Sequence, residues 1–349
     1  MSHPRSMEKL RVWYNRHPME DLHTWFKENQ RPFPWREERT PYKVWISEVM
    51  LQQTRASVVV SYFLRWMARF PDVRALARAT VEEVIKAWEG LGYYSRARNL
   101  HKGAQQIISN FDGRIPDSKE ALATISGLGS YTIGAILSFG FQKRAAAVDG
   151  NVARVISRYF VIEENICSLK VRKKIEEHAL SLPTQEPWIT AEALIELGAT
   201  VCLPKPRCSV CPLKPGCVGR QLGIAVSLPI KNKEKEITHL TRIVAVVESQ
   251  GRILVRKEVA GKVMADLYEF PYFEEASISE LERLLGFKVE KLGGLKEIVH
   301  TFTRYKARLF PYLLKAAAPT EVAGGVWVLR EKLLDLPFSA GHRKIAEQL

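Results

Sequence analysis

Six side chains in this sequence combine a reactive type with a setting that could use it. Glu48 lies in Ser47-Glu48-Val49-Met50-Leu51-Gln52-Gln53-Thr54, with Trp45, Ile46, Val49 and Met50 as neighbours. A carboxyl group among such residues loses hydration, which raises its pKa and favours the protonated acid. The bland alternative is an exposed salt-bridge partner on an amphipathic helix. Asp149 lies in Val148-Asp149-Gly150-Asn151-Val152, ahead of a helical run through Val155. There Asp149 or Asn151 can cap the helix, and amides at the helix start favour an ionised carboxylate. The other four are thiols. Cys202, Cys208, Cys211 and Cys217 share one Pro-rich loop with gaps of five, two and five residues. Thiolates this close repel or oxidise unless a cation holds them. A zinc ribbon presents two separated Cys-x2-Cys pairs and this loop has one, so a 4Fe-4S cluster fits better than zinc. Cys167 has no such company and reads as a small apolar residue.

Lys205, Arg207 and Lys214 decorate the cysteine loop, so a cluster there would brace a basic surface. Upstream, Ile125-Ser126-Gly127-Leu128-Gly129-Ser130-Tyr131-Thr132 separates two helical segments. Glycines at such a junction let backbone amides face an anion such as a DNA phosphate, although many such loops are only tight turns. The formal charge of +14 favours a polyanionic partner, with nucleic acid ahead of a membrane surface. No run of about 20 apolar residues occurs, so no bilayer span is expected. The charged N-terminal stretch lacks the apolar centre of a secretory signal, and the clustered cysteines suit a reducing cytoplasm.

These residues need elements to hold them. At 349 residues, two domains are expected. Apolar residues recur at helical spacing in 44–51, 58–67, 81–87, 100–108 and 191–201, with Gly/Pro breaks between them. The first domain, 7–225, reads as all-α. A charge run, Lys231-Asn232-Lys233-Glu234-Lys235-Glu236, marks a linker over 226–238. Beyond it, 241–247 and 252–256 read as strands of a hairpin around Ser249-Gln250-Gly251, followed by a helix over 278–285 and strands over 305–314 and 325–329. The second domain, 239–349, is therefore α+β.

In this order the pieces resemble the helix-hairpin-helix DNA glycosylase superfamily, with a six-helix barrel and an iron–sulfur helical module. Arg31-Pro32-Phe33-Pro34-Trp35-Arg36, SEVMLQQT, Trp88-Glu89-Gly90-Leu91-Gly92-Tyr93-Tyr94-Ser95-Arg96, the GLGSYT hairpin, VDGNV and EALIELG-x3-C resemble the adenine DNA glycosylases, the MutY family. The second domain is similar to that family's Nudix-like recognition domain. The resemblance implies removal of adenine paired with 8-oxoguanine or guanine in double-stranded DNA, with the base swung out of the duplex. It implies Glu48 as the acid that protonates adenine at N7 and later directs water, and Asp149 as the carboxylate beside the sugar. Tyr131 and Asn151 would orient Asp149 and its surroundings, Arg31 and Glu192 would contact the flipped adenine or the acid, and Trp35 would meet the adenine. Gln53, Thr54 and Tyr93 would enter the duplex, and Gly127, Gly129, Lys205 and Arg207 would hold its phosphates. Tyr131 stands where bifunctional relatives carry a Schiff-base lysine, so a monofunctional glycosylase acting as a monomer is implied.

Two departures matter. The family's first cysteine gap is usually six residues and here it is five, which puts the phosphate contacts of that loop in doubt. The family reads 8-oxoguanine with a Phe-Ser/Thr-His turn, whereas this chain has Phe302-Thr303-Arg304. Thr303 keeps the hydroxyl and Arg304 replaces the histidine, so lesion reading would lean more on charge. The Nudix hydrolase signature is absent around 261–286, so the domain should recognise and not hydrolyse. The competing readings are an endonuclease III-like pyrimidine glycosylase and lyase, and a non-catalytic protein that binds DNA lesions.

Overall fold

The computed structural model describes residues 18–232, 237–257, 265–274, 280–302 and 305–349. Among these, no strand occurs before Thr238. The helices that position the site are α1 (Pro18–Asn29), α2 (Pro41–Leu51), α3 (Ala56–Arg69), α4 (Val81–Trp88), α5 (Ser95–Phe111), α6 (Ser130–Ala135), α7 (Gly150–Phe160), α8 (Leu169–Ser181), α9 (Pro187–Thr200) and α10 (Ala340–Ala346). Among the described residues, none is long and apolar enough to cross a membrane.

Backbone packing divides the chain into two compact units, one of residues 1–74 with 103–233 and one of 75–102 with 234–349. The sequence reading puts 75–102 with the helical domain, whereas α4 and the start of α5 pack with the second unit. In the first unit, α2 starts where Thr40 caps the amide of Lys43 at 3.2 Å and Pro41 occupies the first helical position. It is buried on nearly every face, so its apolar residues do not form a single stripe. Met19, Leu22 and Phe26 of α1 share a core with Val152 and Ile156 of α7, Ile175 of α8 and Leu194 and Leu197 of α9. Helix α6 passes into a π-helical turn over Ile136–Gly140. A Cβ on Gly134 would stand 1.9 Å from the Ala146 carbonyl oxygen, so this close approach requires glycine.

The second unit is built on a mixed sheet. Its strands are β1 (Thr238–Ser249), β2 (Arg252–Lys257), β3 (Tyr268–Glu269), β4 (Tyr272–Glu274), β5 (Glu290–Gly294), β6 (Ile298–Phe302), β7 (Tyr305–Lys315) and β8 (Gly325–Leu329). The path runs β3-β2-β1-β7-β5, with β4 on β1, β6 on β7 and β8 on β2. Only the β1–β7 pairing is parallel among these. Alternation splits β1 between two cores. Val244 and Val246 face Phe270, Phe338 and Ile345, whereas Ala245 and Val247 face Leu281 and Leu285. The expected hairpin forms, with Gln250 at φ 49 and Gly251 at φ 72, the two left-handed positions of a type I′ turn. The helix observed over Leu281–Leu285 lies within the expected 278–285, of which 278 and 279 are outside the described residues.

Candidate active site

A cavity of about 820 Å³ opens in the first unit, and Glu48, Tyr131, Asp149, Asn151, Glu192 and Trp35 all line it. Five elements bring them together: the short helical turn Pro34–Glu37, α2, α6, the start of α7, and α9. Glu48 is 7% exposed. Burial pushes its pKa up to about 7, opposed by a hydrogen bond from Tyr131 and aided by the charges of Glu192 and Asp149. The Tyr131 hydroxyl donates to Glu48 Oε2. Tyr131 thus holds Glu48, the neighbouring carboxyl group of the same cavity. Burial beside these carboxylates keeps the phenol protonated far above its ordinary range.

Asp149 caps α7. Its Oδ1 accepts from the amides of Asn151 at 2.8 Å and Val152 at 2.7 Å, and its Oδ2 accepts from Asn151 Nδ2 at 2.7 Å. Asn151 thus supplies two of the three N–H hydrogen bonds to Asp149. Burial still raises the Asp149 pKa, although those donors and Arg154 oppose it. The amides alone would have predicted a depressed value, so the direction is reversed by desolvation. Even so, three N–H donors serve the Asp149 carboxylate and one O–H serves Glu48, so the two carboxyl groups sit in different hydrogen-bond settings. Arg154 donates to Asn151 Oδ1 at 2.9 Å and to the Cys202 carbonyl at 2.8 Å, so one guanidinium spans from the Asp149 cap to the cysteine loop.

The opposite wall is an ion network that the motifs only half disclosed. Arg36 Nε donates to Glu192 Oε1 at 2.7 Å, and its NH2 donates to Glu196 Oε2 at 2.8 Å. Arg39 reaches Glu192 Oε2 at 3.2 Å. Arg31 Nε donates to Glu196 Oε1 at 2.6 Å, so Arg31 is committed to a protein carboxylate. Burial pushes Glu196 up, but the two guanidiniums outweigh it and its pKa is lowered. Glu196, Arg36 and Arg39 had no assigned role in the sequence reading. Their signal was present in EALIELG, because two carboxylates four residues apart on a buried helix need cations. Trp35 is buried and stacks on Phe33, with ring centroids 4.6 Å apart.

Gln53 follows α2 in the left-handed region at φ 56 and is exposed, and both it and Thr54 line the cavity. Gln52 donates to Thr132 Oγ1 at 3.3 Å, tying the end of α2 to α6. Gly127 takes φ 81 in the hairpin, and Gly129 precedes α6, whose first turn no side chain caps. Tyr93 belongs to the second unit, at φ 50 and 42% exposed. Phe302 ends β6, whereas Thr303 and Arg304 lie outside the described residues.

Cys202, Cys208, Cys211 and Cys217 line one small cavity with Arg158, Arg207 and Lys214. As the side chains stand, no group of three or more His, Cys, Asp or Glu among the described residues is gathered to hold a metal ion. The surroundings nevertheless fit an anionic cluster. Arg158 is fully buried and reaches Cys202 Sγ at 3.3 Å. Burial pushes the Cys211 thiol up to about 12 and that of Cys217 upward, so only a bound cation would deprotonate them. Lys205 and Arg207 are exposed.

Residues 46–180 match the HhH-GPD superfamily of base excision DNA repair proteins, and residues 242–348 match the NUDIX domain. Adenine DNA glycosylase of Homo sapiens is 32% identical over 93% of this chain and 72% of that protein. The adenine DNA glycosylase of Buchnera aphidicola subsp. Schizaphis graminum is 30% identical over 93% of this chain and 96% of its own length. The chain belongs to the adenine DNA glycosylase family. A thermostable thymine-DNA glycosylase structure is 26% identical with a TM-score of 0.54, covering 62% of this chain and 99% of that one. An endonuclease III–DNA complex, at 22% identity and TM-score 0.50 over 62% of this chain and 97% of that one, shares the helical fold. The adenine DNA glycosylase relatives extend over 93% of this chain and these two structures over 62%, which favours the family against the endonuclease III-like reading.

Proposed function

We propose that this protein is a monofunctional adenine DNA glycosylase that hydrolyses the N-glycosidic bond of adenine paired with 8-oxoguanine or guanine in duplex DNA. One observation carries the reading: a buried Glu48, whose pKa burial pushes up to about 7, shares a cavity with Asp149, whose carboxylate accepts three N–H hydrogen bonds. Two carboxyl groups in such different settings are what glycoside cleavage needs. Protonated Glu48 donates to adenine N7 and improves the leaving group. Ionised Asp149, fixed by three N–H donors, stabilises the oxocarbenium ion forming on the sugar. The Glu48 carboxylate, still held by Tyr131, then takes a proton from the attacking water. Glu192, held in place by Arg36 and Arg39, presents acceptor lone pairs to the exocyclic amine of adenine, and Trp35 offers a flat apolar wall.

Around this centre the remaining residues take their roles. Gln53 and Thr54, which line the cavity, and the exposed Tyr93 would fill the stack when adenine leaves it. Gly127 and Gly129 present hairpin amides to phosphate, as do Lys205 and Arg207 with their charges. Phe302, Thr303 and Arg304 would read the base opposite adenine. Cys202, Cys208, Cys211 and Cys217 would ligate a 4Fe-4S cluster, which supplies a structural brace for the basic loop. The protein would act as a monomer in the cytoplasm. Along the sequence its catalytic, linking and lesion-reading parts would span 7–225, 226–238 and 239–349, with 75–102 packed in the same unit as the last of these.

The test is single-turnover release of adenine from a duplex carrying it opposite 8-oxoguanine. Glu48→Gln is expected to lose about 10³-fold or more in rate while binding the duplex almost as well. Undiminished release by that variant overturns the assignment.

A further inference from the structure

Resting on the proposed function, we propose that Glu89 is a positioning residue that mounts the Tyr93 loop on the C-terminal helix and so sets the preference between 8-oxoguanine and guanine. All the groups involved lie in the second unit. Glu89 ends α4, four residues before Tyr93, and its carboxylate is 14% exposed. Arg343 of α10 grips it with two donors, Nε to Oε1 at 2.7 Å and NH2 to Oε2 at 2.8 Å. The Phe338 amide adds a third at 2.9 Å, and Lys86 Nζ stands 2.9 Å from Oε2. Two cations and an amide thus meet one nearly buried carboxylate, a bidentate geometry far more directional than an exposed ion pair.

The other end of the loop returns to the same peptide. Tyr94 donates its hydroxyl to the Phe338 carbonyl at 3.3 Å, and the Gly90 amide donates to that hydroxyl at 3.2 Å. One residue, Phe338, therefore receives both ends of the Glu89–Tyr94 loop, through its N–H and its C=O. Phe338 is fully buried and stacks on Phe270 with centroids 5.4 Å apart. Within the loop, the Arg96 guanidinium lies over the rings of Trp88 and Tyr93 and donates to the carbonyls of Leu91 and Gly92 at 3.1 Å. Tyr93 is thereby left exposed on a stiff support.

That support continues to β6. Gly341 of α10 lies so close to His300 that a Cβ would stand 2.8 Å from its Nδ1. Strand β6 ends at Phe302, the first of the residues proposed to read the lesion. The wedge and β6 thus share a mount in which Glu89–Arg343 is more buried than the neighbouring Glu82–Lys257 and Asp266–Arg98 pairs, and loosening it should blunt the response of the wedge to the opposite base.

The experiment uses the full chain as wild type, Glu89→Gln, Arg343→Met and the double variant. Two duplexes carry 2-aminopurine, or adenine for rate measurements, opposite 8-oxoguanine or guanine. The readouts are 2-aminopurine fluorescence on unstacking, single-turnover adenine release, and the thermal midpoint. Each single variant is expected to lose about tenfold in its preference for 8-oxoguanine over guanine, with the double variant no worse than either single one, because both break one joint. Thermal midpoints should stay within a few degrees of wild type. An unchanged preference in both single variants, or an equal loss on both duplexes, overturns the proposal. A wild type that releases no adenine from either duplex overturns the glycosylase reading instead, and the unstacking signal then still decides whether the joint matters.

Discussion

Glu48 is at once the acid and a source of instability. To donate a proton it must carry one, and with a pKa of about 7 its protonated fraction falls as pH rises through neutrality. Single-turnover adenine release should therefore drop about tenfold per unit above roughly pH 7.5. The Tyr131 hydroxyl bond lowers that pKa, so Tyr131→Phe should move the alkaline limb to higher pH, measured from the rate profile. The stability consequence has the same sign. The folded pKa lies above the ordinary glutamate value of 4.5, so the folded state holds this proton more tightly than the unfolded chain. Stability from neutral Glu48 is full below about pH 4.5 and lost as pH rises through 7. Glu48→Gln should thus gain on wild type between pH 5 and pH 8 by at most about 3 kcal/mol in urea denaturation. The acidity of Glu48 was legible in the sequence because its neighbours in the chain are also its walls. Its pairing with Tyr131 was not, because 83 residues separate them and only the packing of α6 on α2 joins them. Desolvation of Asp149 was hidden for the same reason: local amides can be read from the sequence, and the tertiary cover cannot.

At the scale of elements, α9 shows what a buried helix demands of its surroundings. Glu192 and Glu196 lie on one face, and the fully buried Glu196 is served by Arg31 and Arg36. Removing one partner leaves an uncompensated charge, so Arg36→Leu should cost about 3–5 kcal/mol in denaturant unfolding. Adding Glu196→Leu to it should recover part of that loss, because an apolar pair of similar bulk replaces the ions. Long helices with a clear apolar period, such as α3 and α5, were legible from spacing alone. Strands β3, β4 and β5 were not. They span two to five residues, and β5 is mostly exposed, so no alternation of apolar and polar side chains marks it. Their pairing to β2, β1 and β7 supplies the order that their own sequences lack.

For the whole molecule, the joining of 75–102 to the C-terminal sheet was invisible in the sequence, because it rests on pairs such as Glu89–Arg343, 254 positions apart. The charge of +14, by contrast, was visible from the start and has a measurable consequence. Cations that neutralise phosphates release counterions, so affinity for duplex DNA falls with salt at a log–log slope of about −0.9 per contact. The exposed Lys205 and Arg207, together with the hairpin at 127–129, are the proposed contacts, and the helical unit brings several cations besides. A loss of at least about 10²-fold between roughly 50 and 200 mM salt is expected in fluorescence anisotropy with a non-cleavable duplex. Lys205→Ala and Arg207→Ala should each reduce the slope by about one, and equally for duplexes with 8-oxoguanine or guanine, because phosphates carry no sequence. The shortened first cysteine gap makes this a sharp test. If the five-residue loop turns those two side chains away from the duplex, the variants will bind like wild type and the slope will stay unchanged. The charge footprint would then belong to the hairpin and its neighbours alone.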